Sequence, residues 1–225
     1  MIYITGDTHI PIDIGRLNTD RFPGQKSMGK DDFVIICGDF GGVWNGGKTD
    51  IYWQSWLNDK PWTTLFIDGN HENFVLLNQY PVVDFCGGKT HRIMPSVYHL
   101  MRGGVFTIDG LKFFAMGGAS SHDKAHRTEG KSWWTEEMPS DEEYRNALAN
   151  LDAHDWSVDF VLSHCAPDSI QTELADWYKH DKLTNFLESI KDDLLFTRWF
   201  FGHYHVDREV GRGFSAIYEQ IRRIK

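Results

Sequence analysis

The stretch FVIICGDFGGVWNGGKT, residues 33–49, joins a short apolar run to a loop rich in glycine. The run 33–37 is continuously hydrophobic, which is typical of a strand buried on both faces in a layered α/β fold. Asp39 follows this run after a single glycine, so a carboxylate lies where the predicted strand ends. Because open α/β sheets place their chemistry in the loops at the strand ends, Asp39 is a candidate functional residue.

Four further apolar runs end in the same way. They span residues 2–5, 64–67, 158–162 and 198–201, and they are followed by GDTH, DGNHE, SHCAP and GHYH. A capping box at Ser140 and Glu143 predicts the start of a helix, and residues 184–190 predict another. Asp109-Gly110 predicts a hairpin turn within residues 105–115. This mixture of strand-loop-helix units and an antiparallel ribbon predicts an α/β (α+β) fold.

Length and composition favour one domain formed by residues 1–225, since α/β units of this size often remain undivided. The net charge of −9 argues against strong nucleic-acid binding and against attraction to an anionic membrane. No apolar run approaches the length that spans a membrane. The three cysteines are widely spaced and odd in number, which argues against a disulfide framework. We therefore expect a cytoplasmic protein without a membrane partner.

The polar residues at the predicted strand ends have the chemistry of a metal site. Carboxylates, imidazoles and an amide occur among them without a thiolate, which suits Mn, Fe or Zn better than a soft metal. In Asp7-Thr-His9 and His203-Tyr-His205 the paired residues are two apart, so on an extended segment their side chains point to one face and can reach one centre. The whole set is Asp7, His9, Asp39, Asn70, His71, His164, His203 and His205.

The motifs GDTH, GDFGG, GNHE, SHC and GHYH resemble, in their order and approximate arrangement, those of the calcineurin-like metallophosphoesterases of bacterial or phage type. No single motif is decisive, but five in order are highly specific, and together they span residues 7–205. The resemblance implies a four-layer sandwich of two mixed β-sheets flanked by helices. It further implies hydrolysis of a phosphomonoester or phosphodiester by attack of a hydroxide that bridges two divalent first-row metal ions.

The resemblance also assigns roles to the residues at the strand ends. Asp39 would bridge the two ions, His71 would be the general acid, and Asn70 would contact both a metal and the phosphate. The metal ligands that it implies are Asp7, His9, Asp39 and His205 for the first ion and Asp39, Asn70, His164 and His203 for the second.

Several positions depart from the better-known pattern of this family. Ile10 stands where many members have glycine, and Gly42 and Val43 stand where the protein serine/threonine phosphatases have an Asp-Arg pair. That aspartate would have oriented His71, and the arginine would have gripped phosphate. We therefore expect a small molecule or nucleotide ester rather than a phosphoprotein as substrate, with Glu72 as a replacement partner for His71.

Other functions remain open at the level of sequence. Residues 42–49 fit the phosphate-binding-loop pattern G-x-x-x-x-G-K-[ST], with Lys48 and Asp68 as the nucleotide-site residues of a P-loop NTPase. Residues 86–92 fit the Cys-x5-Arg pattern of tyrosine phosphatases, although Pro95 disfavours the helix that this chemistry needs. A catalytically silent metallophosphatase-fold interaction scaffold is a further alternative. The sequence assigns no role to His99, Arg102, His122, His126 and Arg127.

Overall fold

The structure, a computed structural model, describes residues 1–225. Its strands are β1 (Ile2–Thr5), β2 (Phe33–Cys37), β3 (Thr63–Ile67), β4 (Val82–Phe85), β5 (Gly88–Met94), β6 (Val97–Leu100), β7 (Gly104–Ile108), β8 (Leu111–Met116), β9 (Phe160–Ser163), β10 (Arg198–Phe201), β11 (Arg208–Val210), β12 (Phe214–Ala216) and β13 (Ile221–Arg223). Its helices are α1 (Lys48–Asn58), α2 (Phe74–Leu77), α3 (Asp141–Ala153), α4 (Asp168–Leu174) and α5 (Lys182–Lys191). Short 3₁₀ turns cover Ile14–Leu17, Pro23–Ser27, Lys124–His126 and Thr135–Glu137.

The strands form two mixed sheets. The first has the order β13-β1-β2-β3-β6-β5-β4, and its strands β1, β2, β3 and β6 run parallel. The second has the order β11-β12-β10-β9-β8-β7, and its strands β12, β10, β9 and β8 run parallel. Each motif of the predicted site follows the carboxyl end of one of these parallel strands.

Three apolar clusters separate the layers. The inner faces of the two sheets meet in a cluster that includes Ile4, Ile35 and Phe200. The outer face of the first sheet packs against Leu57 of α1, and the outer face of the second packs against α3 and α5. The architecture is therefore helix, sheet, sheet, helix, as the resemblance to the metallophosphoesterases implies.

Most local predictions agree with the structure. Asp109 and Gly110 have φ of 49° and 80° in the turn between β7 and β8, and Ser140 accepts from Glu143 N as the N-cap of α3. The strand predicted over 158–162 instead begins at Phe160. The reason is that the chain first makes a turn with positive φ at Trp156, and Val158 N then donates to Leu195 O at 2.9 Å.

No helix has both the length and the apolar character that crossing a membrane would require.

Candidate metal centre

Two groups of potential metal ligands lie at the carboxyl ends of the parallel strands. The first consists of Asp7, His9, Asp39 and His205, and the second of Asp39, His164 and His203. Within each group the ligand atoms lie within 4.8 Å of one another. Asp39 belongs to both groups, so its carboxylate links them.

The carboxylate of Asp39 is fixed by the loop that follows β3. Its Oδ1 accepts hydrogen bonds from the backbone N–H groups of Asn70 at 2.8 Å and His71 at 2.9 Å. The backbone carbonyl of Asp39 accepts from Thr8 N at 3.1 Å and His9 N at 2.8 Å. The loops after β1, β2 and β3 are therefore tied together through this one buried residue.

Hydrogen bonds orient two of the histidines so that one ring nitrogen faces the centre. Nδ1 of His9 lies 2.8 Å from Asp13 Oδ2, and Nδ1 of His164 lies 2.9 Å from the carbonyl oxygen of Cys37. In both rings Nε2 faces Asp39, at 3.2 Å for His9 and 3.3 Å for His164. A ligating histidine usually donates its other ring N–H to a carboxylate or a backbone carbonyl, and both rings have this arrangement.

Two buried atoms of the centre, Asn70 Oδ1 and His164 Nε2, make no hydrogen bond. Buried side-chain polar atoms are seldom left unpaired, and both of these belong to residues that the sequence predicts as metal ligands. The combination of carboxylate, imidazole and amide donors without a thiolate suits first-row divalent ions. The residues present therefore fit a divalent metal ion in each group.

The charges of the centre shift pKa values in opposite directions. Burial alone would raise the pKa of Asp39, but His164 and His9 beside it hold that pKa well below its usual range. Burial alone would lower the histidine values, but Asp39 raises the pKa of His9 to about 9 and that of His164 to about 10. The pKa of His203 is well below its usual range because the ring is buried next to His164. The carboxylates of Asp7 and Asp39 thus favour a positive charge on the groups next to them.

Four of the predicted ligand residues have left-handed backbone conformations. The φ angles are 34° at His9, 44° at Asp39, 67° at His203 and 51° at His205. The extended backbone that the sequence predicts for the two pairs is therefore wrong at His9, His203 and His205, although Asp7 and His9 still belong to one ligand group. His203 and His205 lie in a strained turn and belong to different ligand groups, as the resemblance implies.

Four of the motifs begin with glycine for a reason that the structure reveals. A Cβ at Gly69 would stand 2.7 Å from His164 Nε2, and a Cβ at Gly202 would stand 2.6 Å from Cys37 O and closer still to Asp7 Oδ1. Real Cβ atoms essentially never approach within 3.0 Å of a heavy atom outside their own residue and its chain neighbours. The repeated glycine was the available signal, because it shows that the backbone passes close beside the ligand side chains.

His71 lies beside the centre with a different set of neighbours from those expected. Arg127 Nη2 is 3.5 Å from His71 Nε2, and the ring of Trp44 stacks on the imidazole at 6.3 Å between centroids. Burial lowers the pKa of His71, and the charge of Arg127 adds to the effect of the neighbouring histidines. The sequence suggested Glu72 as the residue that orients His71, but Glu72 has other partners. Its carboxylate accepts from Phe40 N at 2.7 Å and from Gly69 N at 3.0 Å, and so joins two loops of the site.

Asp68, His99 and Arg102 form a buried network behind the loop that carries Asn70. His99 Nε2 lies 2.9 Å from Asp68 Oδ1, and Arg102 Nε donates to Asp68 Oδ2 at 2.8 Å. Burial opposes ionisation of Asp68, but Arg102 and His99 hold its pKa well below its usual range. His91 Nδ1 extends the network, 3.0 Å from His99 Nδ1. These residues support the base of the loop instead of contacting the ligand groups.

The loop with the P-loop pattern does not present free amides to a phosphate. The backbone N–H groups of Trp44, Asn45 and Gly46 all donate to Asp50 Oδ2, each at 2.8 Å. Lys48 is exposed at the start of α1. The donors that a phosphate cradle needs are therefore already paired with a carboxylate of the same chain.

The second loop pattern also lacks the geometry that its chemistry requires. Cys86 lies in the turn between β4 and β5, and Arg92 lies within β5, so no helix follows the cysteine. Burial raises the pKa of Cys86 to about 11, which disfavours a thiolate nucleophile. Of the remaining histidines, His126 is exposed and makes no side-chain hydrogen bond, whereas the ring of His122 lies 5.5 Å from that of His203.

Comparison with known proteins agrees with this geometry. The family model described as calcineurin-like phosphoesterase matches residues 1–207. Lariat debranching enzyme A of Xenopus laevis is 26% identical over 222 residues, an alignment that covers 84% of this chain and 40% of that protein. The chain thus spans about two fifths of the length of this curated relative. The two mixed sheets, the paired ligand groups and the family match together show that the chain belongs to the calcineurin-like phosphoesterase family, whose members are metal-dependent phosphoester hydrolases.

Proposed function

We propose that residues 1–225 form one catalytic domain that hydrolyses a phosphate ester at a dinuclear metal centre. The observation that carries this proposal is the sharing of Asp39 between two ligand groups, each of which also contains a buried or partly buried histidine. The unpaired Oδ1 of Asn70 and Nε2 of His164 support an ion at the second group, because both residues are expected ligands of that ion.

Bound metal ions would supply charge neutralisation of the phosphoryl oxygens and a water molecule of lowered pKa. The chain would supply the rest. Asp39 would set the separation of the ions, since its carboxylate is held by two backbone N–H groups. His71 Nε2 would donate a proton to the departing oxygen. Nη2 of Arg127, which lies next to that nitrogen, would contact the phosphoryl group in place of the arginine that the protein serine/threonine phosphatases have.

The proton donor can be tested by varying the leaving group. His71→Asn should reduce turnover of an alkyl phosphate by about two orders of magnitude or more and leave that of a p-nitrophenyl ester nearly unchanged, because a good leaving group departs without a proton. His126→Asn, at an exposed histidine of the same region, is the matched control. Equal losses for both esters would remove the acid role from His71.

The metal dependence is tested with the same substrates. Chelation followed by gel filtration should abolish hydrolysis of mono- and diesters, and Mn²⁺, Fe²⁺ or Zn²⁺ should restore it. A protein that binds these ions but hydrolyses no ester would instead be the catalytically silent scaffold.

The three cysteines are all free, which supports a reducing compartment as the site of action.

A further inference from the structure

Two cavities flank the metal centre, one beside each ligand group. The His71 cavity, of about 270 Å³, is lined by His9 of the first group together with Ile10, Ile12, Trp44 and His71. The Trp177 cavity, of about 550 Å³, is lined by Ser121, His122 and residues 177–181. Cavities of this size hold small organic groups, so the site offers room on both sides of a bound phosphate.

The Trp177 cavity is connected to the second ligand group by direct contacts. The ring of His122 lies 5.5 Å from that of His203, and Asn70 Nδ2 donates to Ser121 Oγ at 3.2 Å. The His71 cavity contains the proposed proton donor and is therefore the place for the leaving group. A phosphomonoester has a single organic arm and would leave the Trp177 cavity empty, whereas a diester has a second arm to place there.

The lining of the Trp177 cavity indicates the chemistry of that second arm. Trp177 is 75% exposed, and Lys179 is exposed and forms no ion pair. The carboxylate in the lining belongs to Asp181, which caps α5. Its Oδ1 accepts hydrogen bonds from Leu183 N at 2.8 Å and Thr184 N at 3.0 Å. The exposed indole of Trp177, the unpaired ammonium of Lys179 and the imidazole of His122 line the same cavity. Together they fit a ligand in which a flat ring is attached to an anionic group. A nucleotide has both.

We infer that the substrate is a short nucleotidyl phosphodiester, with its leaving group in the His71 cavity and its nucleoside in the Trp177 cavity, stacked on Trp177. This inference rests on the proposed function. Lys179 would meet the next phosphate of the nucleotide. The net charge of −9 limits the substrate to a few nucleotides, since a long polyanion would be repelled. In the reaction, a water molecule forms a new P–O bond and loses a proton to solvent, the P–O bond to the leaving group breaks, and the departing oxygen takes a proton from His71, which regains one from solvent.

Three p-nitrophenyl diesters with the same leaving group separate the contributions of the second arm. Methyl p-nitrophenyl phosphate has no nucleoside, thymidine 5′-(p-nitrophenyl phosphate) adds one, and its 3′-phosphate derivative adds an anion. Trp177→Ala should raise KM about tenfold for the two thymidine esters and leave the methyl ester unchanged, because stacking a base on an aromatic ring strengthens binding by about this factor or more. Tyr52→Ala is the control, since Tyr52 is 60% exposed on α1.

The charge of Lys179 is tested with the third ester. Lys179→Ala should raise KM for the 3′-phosphate derivative several-fold more than for the unphosphorylated thymidine ester, and Lys131→Ala, at another exposed lysine, should change neither. Inhibition provides a second measurement: thymidine 5′-monophosphate should inhibit the wild-type protein more strongly than inorganic phosphate, and Trp177→Ala should remove the difference.

The outcomes distinguish this inference from the function on which it rests. If the metal-loaded protein hydrolyses the methyl ester or a monoester but Trp177→Ala affects all esters equally or none, the nucleotide inference is wrong and the phosphoesterase function stands. If no ester is hydrolysed with any of the three metals, the proposed function itself is wrong.

Discussion

Replacement of Asp39 by asparagine tests whether one carboxylate serves two metal ions. Asp39 is the only residue that belongs to both ligand groups. Asparagine keeps a carbonyl oxygen that can accept from Asn70 N and His71 N, which Asp39 holds at 2.8 Å and 2.9 Å, so the loops stay paired while the charge is lost. We therefore expect Asp39→Asn to fold and to lose tight binding of both ions.

The expected size of the effect follows from the number of ligand groups. At a free metal concentration of about 100 times Kd, one site stabilises the folded state by about 2.7 kcal/mol, so two sites contribute about 5 kcal/mol. For a chain of this length about 1 kcal/mol corresponds to roughly 2–4 °C in Tm, so metal should raise the Tm of the wild-type protein by about 10–20 °C. Asp7→Asn and His203→Asn each disturb one group and should retain about half of that shift. Asp39→Asn should show almost none.

The assay combines thermal unfolding with and without Mn²⁺ or Zn²⁺ and the metal content of the protein after gel filtration. Each variant is compared with its own metal-free form, which removes any difference in intrinsic stability. Two ions per chain are expected for the wild-type protein and one for each of the single-group variants. An Asp39→Asn protein that retains one tightly bound ion would show that the groups do not share this carboxylate.

Three predictions concern stability. Burial, together with the charge of His99, lowers the pKa of His91 to about 4. The stability that the neutral His91 ring contributes is therefore present above pH 6.5 and is lost as the pH falls toward 4. His91→Gln should flatten the pH dependence of the free energy of urea unfolding by at most about 3 kcal/mol, and by less where solvent screens the ring. Asp50→Ala leaves three N–H groups unpaired and should lower the free energy of unfolding by about 2–4 kcal/mol without changing metal content, whereas Asp59→Ala should change neither. Ser140→Ala removes the N-cap of α3 and should cost about 1 kcal/mol in the same assay.

The elements of this fold could be predicted because local sequence and tertiary environment agree in them. β2 is a continuous apolar run and β3 ends in one, and both lie between a second sheet and a helical layer, where burial on both faces is what the pattern indicates. The division of the strands between two sheets could not be derived from the residues themselves, because apolar runs such as those of β1 and β9 do not state which neighbours they pair with. The order of the motifs carries that information.

The candidate centre could be predicted as a set of residues but not as an arrangement. Side-chain chemistry selects Asp7, His9, Asp39 and their partners, since few other residue types bind first-row ions without thiolates. The direction of each side chain depends on backbone φ, and alternation along a strand fails at His203, where φ is 67°. Arg127 could not be assigned for a related reason: it reaches His71 from a loop 56 residues away, and nothing local specifies that approach.

The strained backbone explains why so many hydrogen bonds surround the ligands. A residue other than glycine in the left-handed region costs about 1–3 kcal/mol, and His9, Asp39, His203 and His205 all have this conformation. Bound ions could offset that cost only after the chain has already folded around them. The bond from His9 Nδ1 to Asp13 and those from backbone N–H groups to Asp39 act without metal and restrain the same residues. We therefore expect the metal-free protein to keep the centre in place, so that metal binding is coupled to a preformed site rather than to folding of the loops.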